Sequence, residues 1–93
     1  MVFEDLDRRH SGHGTFKCRV RITGHLEGKM AKFHAIRIWC WENLGPSTER
    51  DTYHQVQPGP LWAWHIDIDQ NRYIPYIYLK TDKEEVLFKL KWI

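Results

Sequence analysis

Trp62-Ala63-Trp64-His65-Ile66-Asp67-Ile68, then Asp69-Gln70-Asn71-Arg72, then Tyr73-Ile74-Pro75-Tyr76-Ile77-Tyr78-Leu79 is the stretch whose reading decides the fold. In the first limb Trp62, Trp64, Ile66 and Ile68 fall on one face, and Ala63, His65 and Asp67 fall on the other. Period two with one wet face marks a half-buried antiparallel strand. The polar quartet is a turn, and residues 73–79 return as the partner strand. Pro75 has no N–H for a ladder, so it marks the second strand as an edge or a bulge. Pro58-Gly59-Pro60 punctuates the chain just before the hairpin, and a short strand is predicted near Tyr53 to Val56.

Residues 15–23 alternate in the same way: Phe16, Cys18, Val20 and Ile22 are apolar, and Lys17, Arg19 and Arg21 point the other way. Residues 29–44 carry Met30, Phe33, Ile36, Cys40 and Leu44 at helical spacing, and Gly45-Pro46 supplies a stop. Thr81-Asp82-Lys83-Glu84 is a capping box and starts a second helix, with Val86, Leu87 and Leu90 as its apolar face. Phe88, Leu90 and Trp92 also alternate with lysines, which leaves a short final strand open. The expected fold is α+β: a small antiparallel sheet of three to four strands with one or two helices on one face, of ferredoxin-like tendency. Residues 1–14 read as a flexible N-terminal arm and residues 15–93 as a single domain.

A formal charge of +2 over 93 residues is too small to signal a bulk nucleic-acid or membrane-surface binder. No apolar run is long enough to span a membrane. With a charged N-terminus in place of a leader's apolar core, the expected setting is the cytoplasm. Cys18 and Cys40 sit among apolar neighbours and read as free buried thiols rather than a disulfide.

Five candidate chemistries compete. His65, Asp67 and Asp69 share a strand face and could bind a divalent cation or do acid–base work, but the plain reading is a solvated face running into a turn. Asp67, Asp69 and Asn71 resemble the start of a calcium loop. The pattern then fails at Arg72, where glycine is needed, and at Tyr78, where glutamate is needed. His10 and His13 have a possible ligand spacing, with Cys18, His25 and His34 nearby in sequence, but no C-x-x-C pair declares a structural zinc site. Cys40 between Trp39 and Trp41 reads as packing, and no nucleophile elbow or phosphate loop is present. No catalytic residue, metal or cofactor is therefore assigned. Lys17, Arg19 and Arg21 could track a phosphate backbone, which makes nucleic-acid binding the alternative function. The aromatic surplus is the fifth: the chain has five Trp, four Tyr and four Phe. Trp39 and Trp41 lie about 200° apart on a helix, so one must leave the core. The predicted binding surface is Trp39, Trp41, Tyr73, Tyr76, Tyr78 and Trp92 together with the basic residues Lys17, Arg19 and Arg21.

Ile38-Trp39-Cys40-Trp41-Glu42-Asn43-Leu44-Gly45-Pro46, with the closing stretch from Tyr78 through Thr81-Asp82-Lys83-Glu84 to Phe88-Lys89-Leu90-Lys91-Trp92, resembles small uncharacterised accessory proteins of tailed bacteriophages, including cyanophages. The resemblance covers about a quarter of the chain and carries no active site. It implies a non-enzymatic protein that binds and modulates, most simply inhibits, a host protein in the infected cell. The uncharged aromatic strand Tyr73 to Leu79, read as an edge, further predicts a cover. That cover is either the terminal helix with Trp92 or, the favoured choice, a second copy of the chain in a homodimer.

Overall fold

The alternating stretch folds as the expected hairpin, β3 (Trp62–Asp69) and β4 (Arg72–Leu79), paired antiparallel from Trp62↔Leu79 to Asp69↔Arg72. Gln70 and Asn71 turn it with φ of 48° and 66°, the two positive values that a two-residue I′ turn requires. In this computed structural model residues 1–7, 16–46 and 61–93 are described. The remaining elements are β1 (Val2–Asp5), β2 (Cys18–Arg21), α1 (Leu26–Leu44) and α2 (Asp82–Trp92). The sheet order is β1-β2-β4-β3 and every neighbour is antiparallel. The domain is α+β, with four strands and two helices. The strand proposed near Tyr53 to Val56 and residues 8–14 of the N-terminal arm lie outside the described residues.

β2, α1 and β3 form a split βαβ unit, because β4 enters between β2 and β3 antiparallel to both. In the ferredoxin-like order a strand after the second helix would then pair with β2. Here helix continues to Trp92, so no final strand forms, and β1 takes that place from the other end of the chain. Val2 to Asp5, read from sequence as part of a loose arm, are therefore strand. Phe3 explains the change, because its ring meets Phe88 of α2 edge-on at 5.8 Å.

Pro75 lies in a central strand, not at an edge. Its carbonyl accepts from Ile22 N–H at 3.0 Å, one residue beyond the end of β2. A residue's N–H and C=O point to the same side of a strand, so the missing donor faces the spent end of the β2 ladder. The β3 ladder loses nothing. This removes the argument for a dimer across Tyr73 to Leu79.

The core lies between the sheet and the helices: Cys18, Val20, Ile22, Ile77, Leu79 and Trp62 meet Phe33, Ile36, Cys40 and Leu44 of α1 and Phe88 of α2. The α1 spacing is the one read from sequence. The helix begins three residues earlier than expected and ends at Gly45, whose φ of 90° would strain a side chain. α2 carries the complete capping box: the Thr81 hydroxyl accepts from Lys83 N–H at 3.2 Å, and Glu84 Oε1 accepts from Thr81 N–H at 2.8 Å. Its inward face differs from the expected one. Phe88 and Trp92 turn inward, and Val86, Leu87 and Leu90 are exposed. The aromatic cluster decides this: Phe88 lies 6.1 Å from Trp39 and 6.5 Å from Trp92, and rings bury more area than branched aliphatics. Among the described residues no helix is long and apolar enough to cross a membrane.

Candidate functional site

The nine residues predicted as a binding surface do not share a surface. Tyr76 and Tyr78 are 6% and 1% exposed and pack with Phe16 and Ala63 on the sheet face away from the helices. Trp39 and Trp92 are half-buried, ring to ring at 6.3 Å, inside the aromatic cluster. Of the six aromatics, only Trp41, at 57%, and Tyr73, at 46%, are open to solvent. The helical-wheel argument that Trp39 and Trp41 part company holds, and Trp41 is the outward one.

The basic stripe is also divided. Lys17 N–H donates to Leu79 C=O at 3.0 Å although Cys18 is Leu79's register partner, so two residues stand opposite one. This is a β-bulge, and it inverts the alternation on its far side. Phe16 accordingly leaves the face of Cys18 and Val20 and packs on Tyr78 at 5.8 Å. The Lys17 ammonium donates to Asp82 and, at 3.2 Å, to Glu85 at the start of α2. Those carboxylates, Asp82 foremost, hold its pKa above the ordinary value. Arg19 pairs with Glu4 at 3.3 Å and lies over the Tyr76 ring. Burial opposes its charge, but hydrogen bonding to Tyr78 and the pull of Tyr76 and Glu4 outweigh that and raise its pKa. Arg21 alone of the three has no ion pair among the described residues. Among the described residues a phosphate backbone would meet one cation there without an ion pair, not three.

His65 Nε2 and Asp67 Oδ1 lie 2.6 Å apart on the helix-free face. Among the described residues no three His, Cys, Asp or Glu side chains converge as a metal site would need. Both cysteines are free and buried, and burial is the chief force pushing each thiol from an ordinary 9.0 up to about 12. Neither is the thiolate that nucleophilic chemistry requires.

The structure does build one concave site that the sequence reading missed. α1 contributes His34, Arg37, Ile38, Trp41 and Glu42, and β3 contributes Trp62 and Trp64, around a groove of about 390 Å³. The volume is in the range of ligand sites. The groove lies where α1 overhangs the outer side of β3. Trp62 forms its floor and is locked by a 2.7 Å hydrogen bond from Nε1 to Gly45 O. Phe33 and Trp64 stand edge to face at 6.0 Å. The Arg37 guanidinium lies 4.7 Å from both ring centroids and 3.4 Å from His34 Nδ1. Burial lowers its pKa, and Nε has no hydrogen-bond partner. No carboxylate neutralises it among the described residues. A signal was present in the sequence: 34, 37, 38, 41 and 42 recur at three- and four-residue steps along one side of a helix.

Among the described residues β3 is also a sheet edge. Because Pro75, Ile77 and Leu79 direct their backbone groups to β2, those of Ile74, Tyr76 and Tyr78 face β3. Ala63, His65 and Asp67 answer them, and the N–H and C=O of Trp64, Ile66 and Ile68 point outward. Edge strands are ordinarily guarded by shortness, charge or proline. β1, the other edge, is four residues long and carries Glu4 and Asp5. β3 is eight residues long, has no proline or lysine, and keeps His65 and Asp67 on the helix-free face, away from the groove. Comparison with protein-family models, curated proteins and solved structures finds no match.

Proposed function

We propose that this chain is a non-enzymatic protein-binding module and that its contact surface is the groove between α1 and the open edge of β3. The observation that carries the reading is Trp41, 57% exposed on the rim of an aromatic groove beside a strand edge that is unpaired among the described residues. Tryptophan and arginine are the residues most enriched at binding hot spots, and Trp41, Trp64 and Arg37 stand together here. Ile38, 47% exposed, extends the same apolar rim.

The resemblance to phage accessory proteins makes a bacterial host protein the partner to seek and inhibition by occupancy the simplest outcome. The test is paired affinity capture from a bacterial extract with the wild-type chain and Trp41→Ala, followed by reconstitution with the purified captured protein. Support is one protein held at stoichiometric level by the wild type, lost with Trp41→Ala and rebound when purified. Equal binding to both chains overturns the assignment of the groove. Tight binding of DNA that is lost on Arg21→Ala and untouched by Trp41→Ala would return the nucleic-acid alternative.

A further inference from the structure

The groove has three properties that together restrict what can fill it. It opens beside a strand edge, unpaired among the described residues, whose outward N–H and C=O groups begin at Trp64 and continue along β3 at Ile66 and Ile68. Its walls are aromatic and aliphatic: Ile38, Trp41, Trp62 and Trp64. Its roof holds one cation, Arg37, set against two rings and lacking any acidic partner among the described residues. A helix laid in the groove would cover the walls but leave the strand's backbone groups unpaired. An extended segment satisfies all three. Its main chain pairs with β3, alternate side chains project under α1, and one of them reaches the guanidinium.

We propose, building on the reading of the groove as a protein-binding site, that its occupant is an extended acidic segment of a partner protein. This segment joins the sheet as a strand along β3, seats an apolar side chain between Trp41 and Trp64, and places a carboxylate on Arg37. Charge complementarity selects the acid. A partly buried guanidinium with no acidic partner among the described residues gains most from a carboxylate, whose oxygens match its planar donors. Glu42 on the same rim repels a second carboxylate, so the acid is expected at one position, flanked at alternate positions by apolar residues.

The probe is a random linear peptide library selected by messenger-RNA display against the immobilised full chain, with the enriched peptides then synthesised and titrated. The expected peptides carry one Asp or Glu with an apolar residue two positions away. Their affinity should fall about tenfold or more for Arg37→Gln, as loss of a charge-assisted hydrogen bond implies, and less for Arg37→Lys. Added salt should weaken them, and N-methylation of alternate amides should abolish binding in one register and spare it in the other. Circular dichroism of each variant separates lost binding from lost folding. Groove peptides that need Trp41 but show no acidic preference, or ignore Arg37→Gln, overturn this inference and leave the protein-binding reading standing. Peptides indifferent to Trp41→Ala as well overturn both. An empty selection overturns the inference. So does light scattering that shows twice the 11.3 kDa chain mass reverting with Trp41→Ala, because a second copy then holds the edge.

Discussion

The Arg19 guanidinium carbon lies 4.2 Å from the centroid of the Tyr76 ring, on the sheet face that carries no helix. Tyr76 is thereby closed in beneath a cation, in a row that runs Val2, Arg21, Tyr76, His65 across all four strands. Tyr76→Lys sets an ammonium beside Arg19 in a buried position and should cost about 3 kcal/mol or more. Tyr73→Lys, on the same strand but exposed, should change stability by less than about 0.5 kcal/mol. Urea unfolding of the two variants measures the difference, and equal midpoints would contradict the buried placement of Tyr76.

Two of the groove's three indoles have different duties. Trp62 is buried in the core and anchored to Gly45 O, so Trp62→Ala should cost about 3–5 kcal/mol. Trp41→Ala should leave stability within about 1 kcal/mol while removing partner binding. Thermal denaturation run beside a binding titration checks both halves. A Trp41→Ala chain that unfolds as easily as Trp62→Ala would make Trp41 a packing residue.

The Thr81 and Glu84 side chains act as one cap. Thr81→Ala should destabilise by about 1 kcal/mol. Adding Glu84→Ala should cost less than the two single losses summed, because each substitution already breaks part of the same box. A double-mutant cycle in urea reads the coupling, and strict additivity would show that the two residues do not cooperate.

The thiols set a limit on alkaline stability. Folding raises both from 9.0 to about 12, so the unfolded chain deprotonates first. Their contribution is fully present below pH 9 and is lost progressively as pH rises through about 12. Urea midpoints should therefore fall between pH 8 and pH 10, and fall less in Cys40→Ala than in the parent. Both cysteines should resist iodoacetamide at neutral pH until urea unfolds the chain; rapid labelling of the native protein would contradict their burial.

Legibility in the sequence followed the range of the interaction. The β3–β4 hairpin, the α1 spacing ended by Gly45, and the capping box at Thr81 are written in residues close together along the chain, and all three form as read. So does the divergence of Trp39 and Trp41, which helix geometry alone requires. The site was less legible. Arg37, Trp41 and Trp64 become neighbours only when α1 crosses the outer side of β3, and no local pattern reports that crossing.

What the sequence determined by itself was the set of elements and most of their inward faces, because periodicity and capping are properties of one segment. Tertiary structure decided which strand is central and which is open. Pro75 is tolerated inside the sheet because β2 stops at Arg21, and β1 is a strand because Phe3 finds Phe88. It also decided that α2 turns its rings inward in preference to Val86, Leu87 and Leu90, and that the bulge at Lys17 divides an apparently continuous basic stripe. Each outcome depends on a partner distant in sequence, whose contribution to burial or hydrogen bonding exists only after the chain has closed on itself.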